Sequence, residues 1–82
     1  MAGIEVREEG DGIWVVTVPG IAGKRDLPDD FNERCYDLGL MVVGVDGAIV
    51  HVSPRDDLEA PMGAVLKDLR AYLAKVVPGA AS

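Results

Sequence analysis

Leu40-Met41-Val42-Val43-Gly44-Val45-Asp46-Gly47-Ala48-Ile49-Val50-His51-Val52-Ser53 decides how this chain folds. Two β-rich runs flank Asp46-Gly47, a dipeptide preferred in two-residue hairpin turns. The stretch therefore predicts a β-hairpin over 40–53. With Asp46-Gly47 as the loop, Val45 pairs with Ala48, Val43 with Val50 and Met41 with Val52, which puts those six side chains on one face. Leu40, Val42, Gly44, Ile49, His51 and Ser53 then share the other face. Neither face is polar throughout, so this is not the pattern of a sheet with one wet side. Gly44, inside a strand, signals a bulge or a close backbone approach.

Working toward the N-terminus, Gly39 suits the left-handed residue that ends a helix. Phe31, Cys35 and Leu38 recur on one helical face, and Asp30 with Glu33 has capping-box spacing, so a short helix is expected over 30–38. Residues 19–29 hold two glycines, two prolines and the basic pair Lys24-Arg25, the composition of a mobile loop. Ile13 to Val18 is β-branched and aromatic, and Ile4 to Arg7 alternates apolar with charged. With turn residues between them they form a first hairpin over 4–18. In strand 13–18, Ile13, Val15 and Thr17 face one way and Trp14, Val16 and Val18 the other.

Toward the C-terminus, Leu58, Met62, Val65, Leu66, Leu69, Leu73 and Val76 make an amphipathic stripe, predicting a long helix over 57–77 stopped by Pro78-Gly79. Pro61 has no N–H and must lie in or before its first turn. The fold class is α+β. Two β-hairpins form a four-stranded antiparallel sheet with one short and one long helix, in the order β-β-α-β-β-α, as a single domain over 1–82. The two halves resemble each other, and shared turn chemistry explains this at least as well as duplication.

Composition narrows the function. Fourteen acids against eight bases leave a net charge of −6, so a basic footprint for nucleic acid is absent. No apolar stretch approaches the ~20 residues of a membrane span. Met-Ala-Gly-Ile-Glu has no signal-peptide features and the single thiol suits a reducing compartment, so a cytoplasmic protein is expected. Enrichment in Gly, Ala, Arg and Pro suggests a GC-rich bacterial or phage genome. A single Cys35 excludes an intrachain disulfide, and with a single His51 it excludes a Cys/His zinc site.

Chemical groups are sparse. His51 titrates near neutrality, but a general base needs an orienting partner and a pocket, and the sequence names neither. Cys35 falls on the apolar face of the short helix, a packing position. The acid clusters at Asp29/Asp30/Glu33 and Asp56/Asp57/Glu59 sit where helix starts favour negative charge. Glu8/Glu9/Asp11 is a turn cluster, and none of the three has metal-loop spacing. The glycines form no phosphate-binding fingerprint. No catalytic residue, cofactor or metal is assigned.

What remains is surface. Two helices cover one sheet face, and the central strands carry apolar side chains on both. The expected function is a small non-enzymatic interaction module, an accessory, adaptor or regulatory protein. It would self-associate, most simply as a two-fold dimer, or dock a protein partner. Trp14, Val16, Val18, Val42, Ile49 and His51 are the candidate contact residues on the sheet, with Lys24 and Arg25 on the loop. An alternative is an acidic inhibitor, immunity-like or nucleic-acid-mimicking. A third is a small enzyme or ligand carrier with a site at an oligomer interface, using His51 or Tyr36 and Tyr72.

Overall fold

The computed structural model describes residues 3–77. Strands β1 (Glu5–Gly10) and β2 (Ile13–Thr17) are followed by a single 3₁₀ turn (Lys24–Asp26) and helix α1 (Phe31–Leu38). Strands β3 (Leu40–Asp46) and β4 (Ile49–Pro54) and helix α2 (Met62–Val76) complete the order. The strands form one antiparallel sheet in the spatial order β1-β2-β4-β3, which leaves β1 and β3 at the edges. This is the α+β architecture expected from the sequence.

Both helices lie on one face. Phe31 and Cys35 of α1 and Val65, Leu66, Leu69 and Leu73 of α2 join Val16, Val18, Val50, Val52 and Leu40 in one buried cluster. Trp14, Val42 and Val45 pack against it while partly exposed. Ile13, Val15, Ile49, Met41 and Val43 have no place in that cluster. Phe31 and Tyr72 stack at 6.3 Å between ring centroids and join the two helices. Each fully buried aliphatic side chain contributes roughly 1.5–3 kcal/mol, so this single layer supplies most of the driving force.

The β3–β4 register differs from expectation in two places. Asp46 pairs with Ile49 and Val45 with Val50, so the loop is Gly47-Ala48. Gly47 has φ +60° and Ala48 does not, the glycine-first pattern of a type II′ turn. Ala48 is held at the start of β4 because its carbonyl accepts from Val18 N–H at 2.8 Å. Further along, Val42 pairs with Val52 and Gly44 with His51, so two β3 residues oppose one on β4. This is the bulge that Gly44 signalled. The extra residue reverses the facing of everything before it. Leu40 and Val42 turn into the core, while Met41 and Val43 turn out. The both-positive-φ Asp-Gly turn occurs instead at Asp11 (φ +52°) and Gly12 (φ +76°).

Other boundaries shift for local reasons. Asp30 is the N-cap of α1, but its side chain makes no cap bond. It accepts instead from Arg34 Nε at 3.2 Å, one turn along the helix. Gly39 ends α1 at φ +106°, and its N–H donates to the Cys35 and Tyr36 carbonyls. Helix α2 begins at Met62 rather than near 57, with Pro61 as N-cap, because a helix running through Pro61 would lose a bond and meet its ring. Leu58 is consequently a loop residue half-buried against the core. The stop expected at Pro78-Gly79 lies outside the described residues. Segment 19–29 carries two anchors, Ile21 and Leu27, both buried, and Ala22 N–H donates to Asp26 Oδ2 at 2.6 Å.

Candidate functional site: the uncovered sheet face and its edges

Because directly paired residues share a face, the register defines the helix-free side as three cross-sheet rows. Glu5, Thr17, Ile49 and Asp46 form the first. Arg7, Val15, His51 and Gly44 form the second. Ile13 on β2, with the paired Ser53 and Met41 of β4 and β3, forms the third. The central strands mix aliphatic Ile13, Val15 and Ile49 with polar Thr17, His51 and Ser53, and the β1 rim is charged. Val15 is only 2% exposed although no helix covers it. It lies in a row between Arg7 and His51, whose side chains flank it.

His51 is the only histidine of the chain and stands on this face. Its Nδ1 lies 3.8 Å from Glu9 Oε2, and its side chain is 31% exposed. Since Glu9 belongs to β1 and His51 to β4, the pair reaches across β2. It sits on an open face, and three grooves among the described residues are lined by other side chains. The arrangement gives His51 a carboxylate neighbour on an open face.

The sequence-derived contact residues separate into three groups. Ile49 and His51 stand on the uncovered face as expected. Trp14, Val16, Val18 and Val42 stand on the helix side, and Val16 and Val18 are fully buried, which leaves them no surface to offer. Trp14, Val16 and Val18 do share one face of β2, and the helices cover that face. For Val42 the bulge is responsible. Lys24 and Arg25 are exposed on the 3₁₀ turn, off the sheet. Ile13, Val15, Met41 and Val43 belong to the face and were not singled out, although the alternation of β2 groups Ile13 with Val15.

Cys35 is sealed in the core, where burial raises its thiol to about 12, so the neutral form persists and nucleophilic reactivity is suppressed. Tyr72 lines a groove of about 290 Å³ with Pro28, Asp30, Arg34, Lys75 and Val76. Its hydroxyl has no hydrogen-bond partner among the described residues, and burial, then Asp30, pushes its pKa up. Tyr36 lies on the outer flank of α1 under the Arg55 guanidinium, 4.4 Å from the ring centroid. The two tyrosines are thus on separate surfaces and form no common site with His51. Among the described residues, no three Cys, His, Asp or Glu side chains converge as a metal site, and no helix is long and apolar enough to cross a membrane.

No protein-family model, curated protein or solved structure matches this chain.

Proposed function

We propose that this protein is a small non-enzymatic interaction module that docks its uncovered sheet face, in the simplest case on a second copy to form a two-fold dimer. One observation carries the reading: both helices cover the same side of the sheet, while the other side presents half-buried Ile13 and Ile49 together with exposed Met41 and Val43. An antiparallel sheet with a solvated face alternates to polar residues, and this one keeps aliphatics at its centre. Apolar side chains left on a helix-free face mark interaction sites. The acidic composition keeps such a module soluble, and a bacterial or phage cytoplasm remains the compartment its composition favours.

Size sets the strength. Four strands ~4.8 Å apart and about six residues long, at ~3.3 Å per residue, present a footprint of roughly 400 Å². A standard interface takes ~800 Å² from each partner, so the face alone supports a weak, concentration-dependent dimer. Light scattering should show the mass rising from 8.7 kDa toward twice that value between micromolar and millimolar protein. Ile49→Lys, which sets a charge on a central strand of the face, should hold it at the protomer. A protomer mass at millimolar concentration, or a dimer indifferent to Ile49→Lys, overturns the proposal.

A further inference from the structure

The two edges of the sheet are built differently. Edge strands present unpaired backbone N–H and C=O groups, and proteins shield them with charges. On β1, Glu5, Arg7, Glu8 and Glu9 are exposed. Just before β1, the Ile4 carbonyl already accepts from the Arg70 guanidinium at 2.7 Å. On β3 no charged side chain occurs before Asp46, its last residue. The exposed large hydrophobics of the described chain are Tyr36, Met41 and Val43, and all three flank this edge. Met41 and Val43 stand above it on the uncovered face. Tyr36 stands below it: on α1 it projects away from Arg34, the residue that faces α2, and α1 packs beneath β3.

The surroundings of this edge are acidic. Glu33 and Asp37, one turn apart, share with Asn32 and Tyr36 a shallow groove of about 440 Å³. Asp46 closes the other end of the strand. None of these three carboxylates has an ion-pair partner among the described residues, whereas the nearby Arg55 is engaged by Asp57 at 2.7 Å. Two copies joined edge to edge in the antiparallel sense would bring Asp46 of each toward the Asp37 end of the other, setting acid against acid.

We propose that the free edge of β3 accepts an extended, basic segment of another protein as a fifth strand. This rests on reading the protein as an interaction module, but uses a different surface from the dimer face. Main-chain hydrogen bonds supply the register, and alternate side chains meet Met41 and Val43 above or Tyr36 below. Lysine or arginine side chains on the lower side reach Glu33 and Asp37.

The probe is a synthetic seven-residue peptide alternating valine with lysine and arginine, titrated into ¹⁵N-labelled protein. Two controls accompany it: a glutamate twin, and a basic twin interrupted by proline. The basic peptide should shift the Leu40–Asp46 amides and bind at least tenfold tighter than either control. Its advantage over the glutamate twin should shrink several-fold when salt rises from ~20 to ~300 mM. Val43→Lys, a charge set on the edge, should weaken it about tenfold. Glu33→Lys with Asp37→Lys, both on the exposed flank of α1, should abolish the preference for the basic peptide and leave the protomer–dimer equilibrium unchanged. The titration is repeated on Ile49→Lys protein, which separates loss of the dimer from loss of the edge site. Failure of the basic peptide to bind, equal binding of the glutamate or proline twin, or shifts on β1 instead of β3 would each overturn the proposal. So would protection of the β3 amides that grows with protein concentration alone, which would assign the edge to a second copy.

Discussion

Replacing Gly39 by alanine tests the joint that carries the chain from α1 into the unshielded edge strand. Gly39 adopts φ +106°, a conformation that L side chains rarely occupy, and this alone costs ~1–3 kcal/mol. A Cβ there would also stand 2.5 Å from Leu58 Cδ1, so Leu58 must move. That atom is the far end of a flexible loop side chain, so displacement costs part of its burial, about 1 kcal/mol. The total is ~2–4 kcal/mol, against roughly 4–12 kcal/mol available to a chain of this length. Thermal unfolding by circular dichroism should show a fall of ~10–25 °C. The two contributions separate in a cycle. In a Leu58→Ala background the alanine no longer meets the methyl, so Gly39→Ala should cost about 1 kcal/mol less there. Asparagine tolerates the left-handed region, so Gly39→Asn should cost less than alanine in backbone strain while keeping the contact. A cost under 0.5 kcal/mol for Gly39→Ala refutes the conformational argument, and strict additivity with Leu58→Ala refutes the close approach.

Three further outcomes follow from the same structure. Leu69→Ala, at the fully buried centre of α2, should cost ~2–5 kcal/mol in urea unfolding, and a cost below 1 kcal/mol would mean that α2 is not the lid of this core. Because the folded Cys35 thiol is held at about 12, above its ordinary value, the folded state retains a proton that the unfolded chain loses. Its contribution is complete below pH ~9 and is lost as the pH rises toward 12, so the urea midpoint should fall between pH 8 and 10, and less in Cys35→Ala. The bidentate hydrogen bond from Arg55 holds the Asp57 carboxyl below its usual range, so Arg55→Ala should return it upward in a carbon-13 NMR titration, and an unmoved value would show the pair broken in solution.

The order of elements was legible because each is announced by a local rule: period-two alternation in β1, the Leu and Val stripe of α2, glycine at the end of α1. The register of the second hairpin and the facing of its first strand were not, because the first depends on which two residues form the loop and the second on the bulge. Asp46-Gly47 and Gly47-Ala48 are both admissible two-residue loops, and the choice between them is made by a neighbouring strand, through the bond from Val18 to Ala48. The bulge at Val43 and Gly44 was foreshadowed by a glycine in a strand, but a glycine does not say how many residues slip or in which direction. That one extra residue moves Leu40 and Val42 inward and Met41 and Val43 outward. Asp30 shows the same limit at a smaller scale. Its capping-box spacing is real, yet Arg34, one turn along, takes the carboxylate.

The bulge also bears on function. Without it, β3 would turn Leu40 and Val42 toward solvent and bury Met41 and Val43 against α1. With it, the fully buried Leu40 closes the core beside Cys35 and Phe31, and the two residues left over stand at the free edge. Bulges at sheet edges usually twist a strand away from pairing, whereas this one retains an apolar rim above an edge that no charge protects. Stability did not require Met41 and Val43 to be apolar there, since each is more than 40% exposed and a polar residue would lose little on the protomer. A side chain that contributes little to the fold and stands beside unpaired backbone is what the proposed fifth strand would use. This is why the edge, more than the broad face, is where a partner should be sought first.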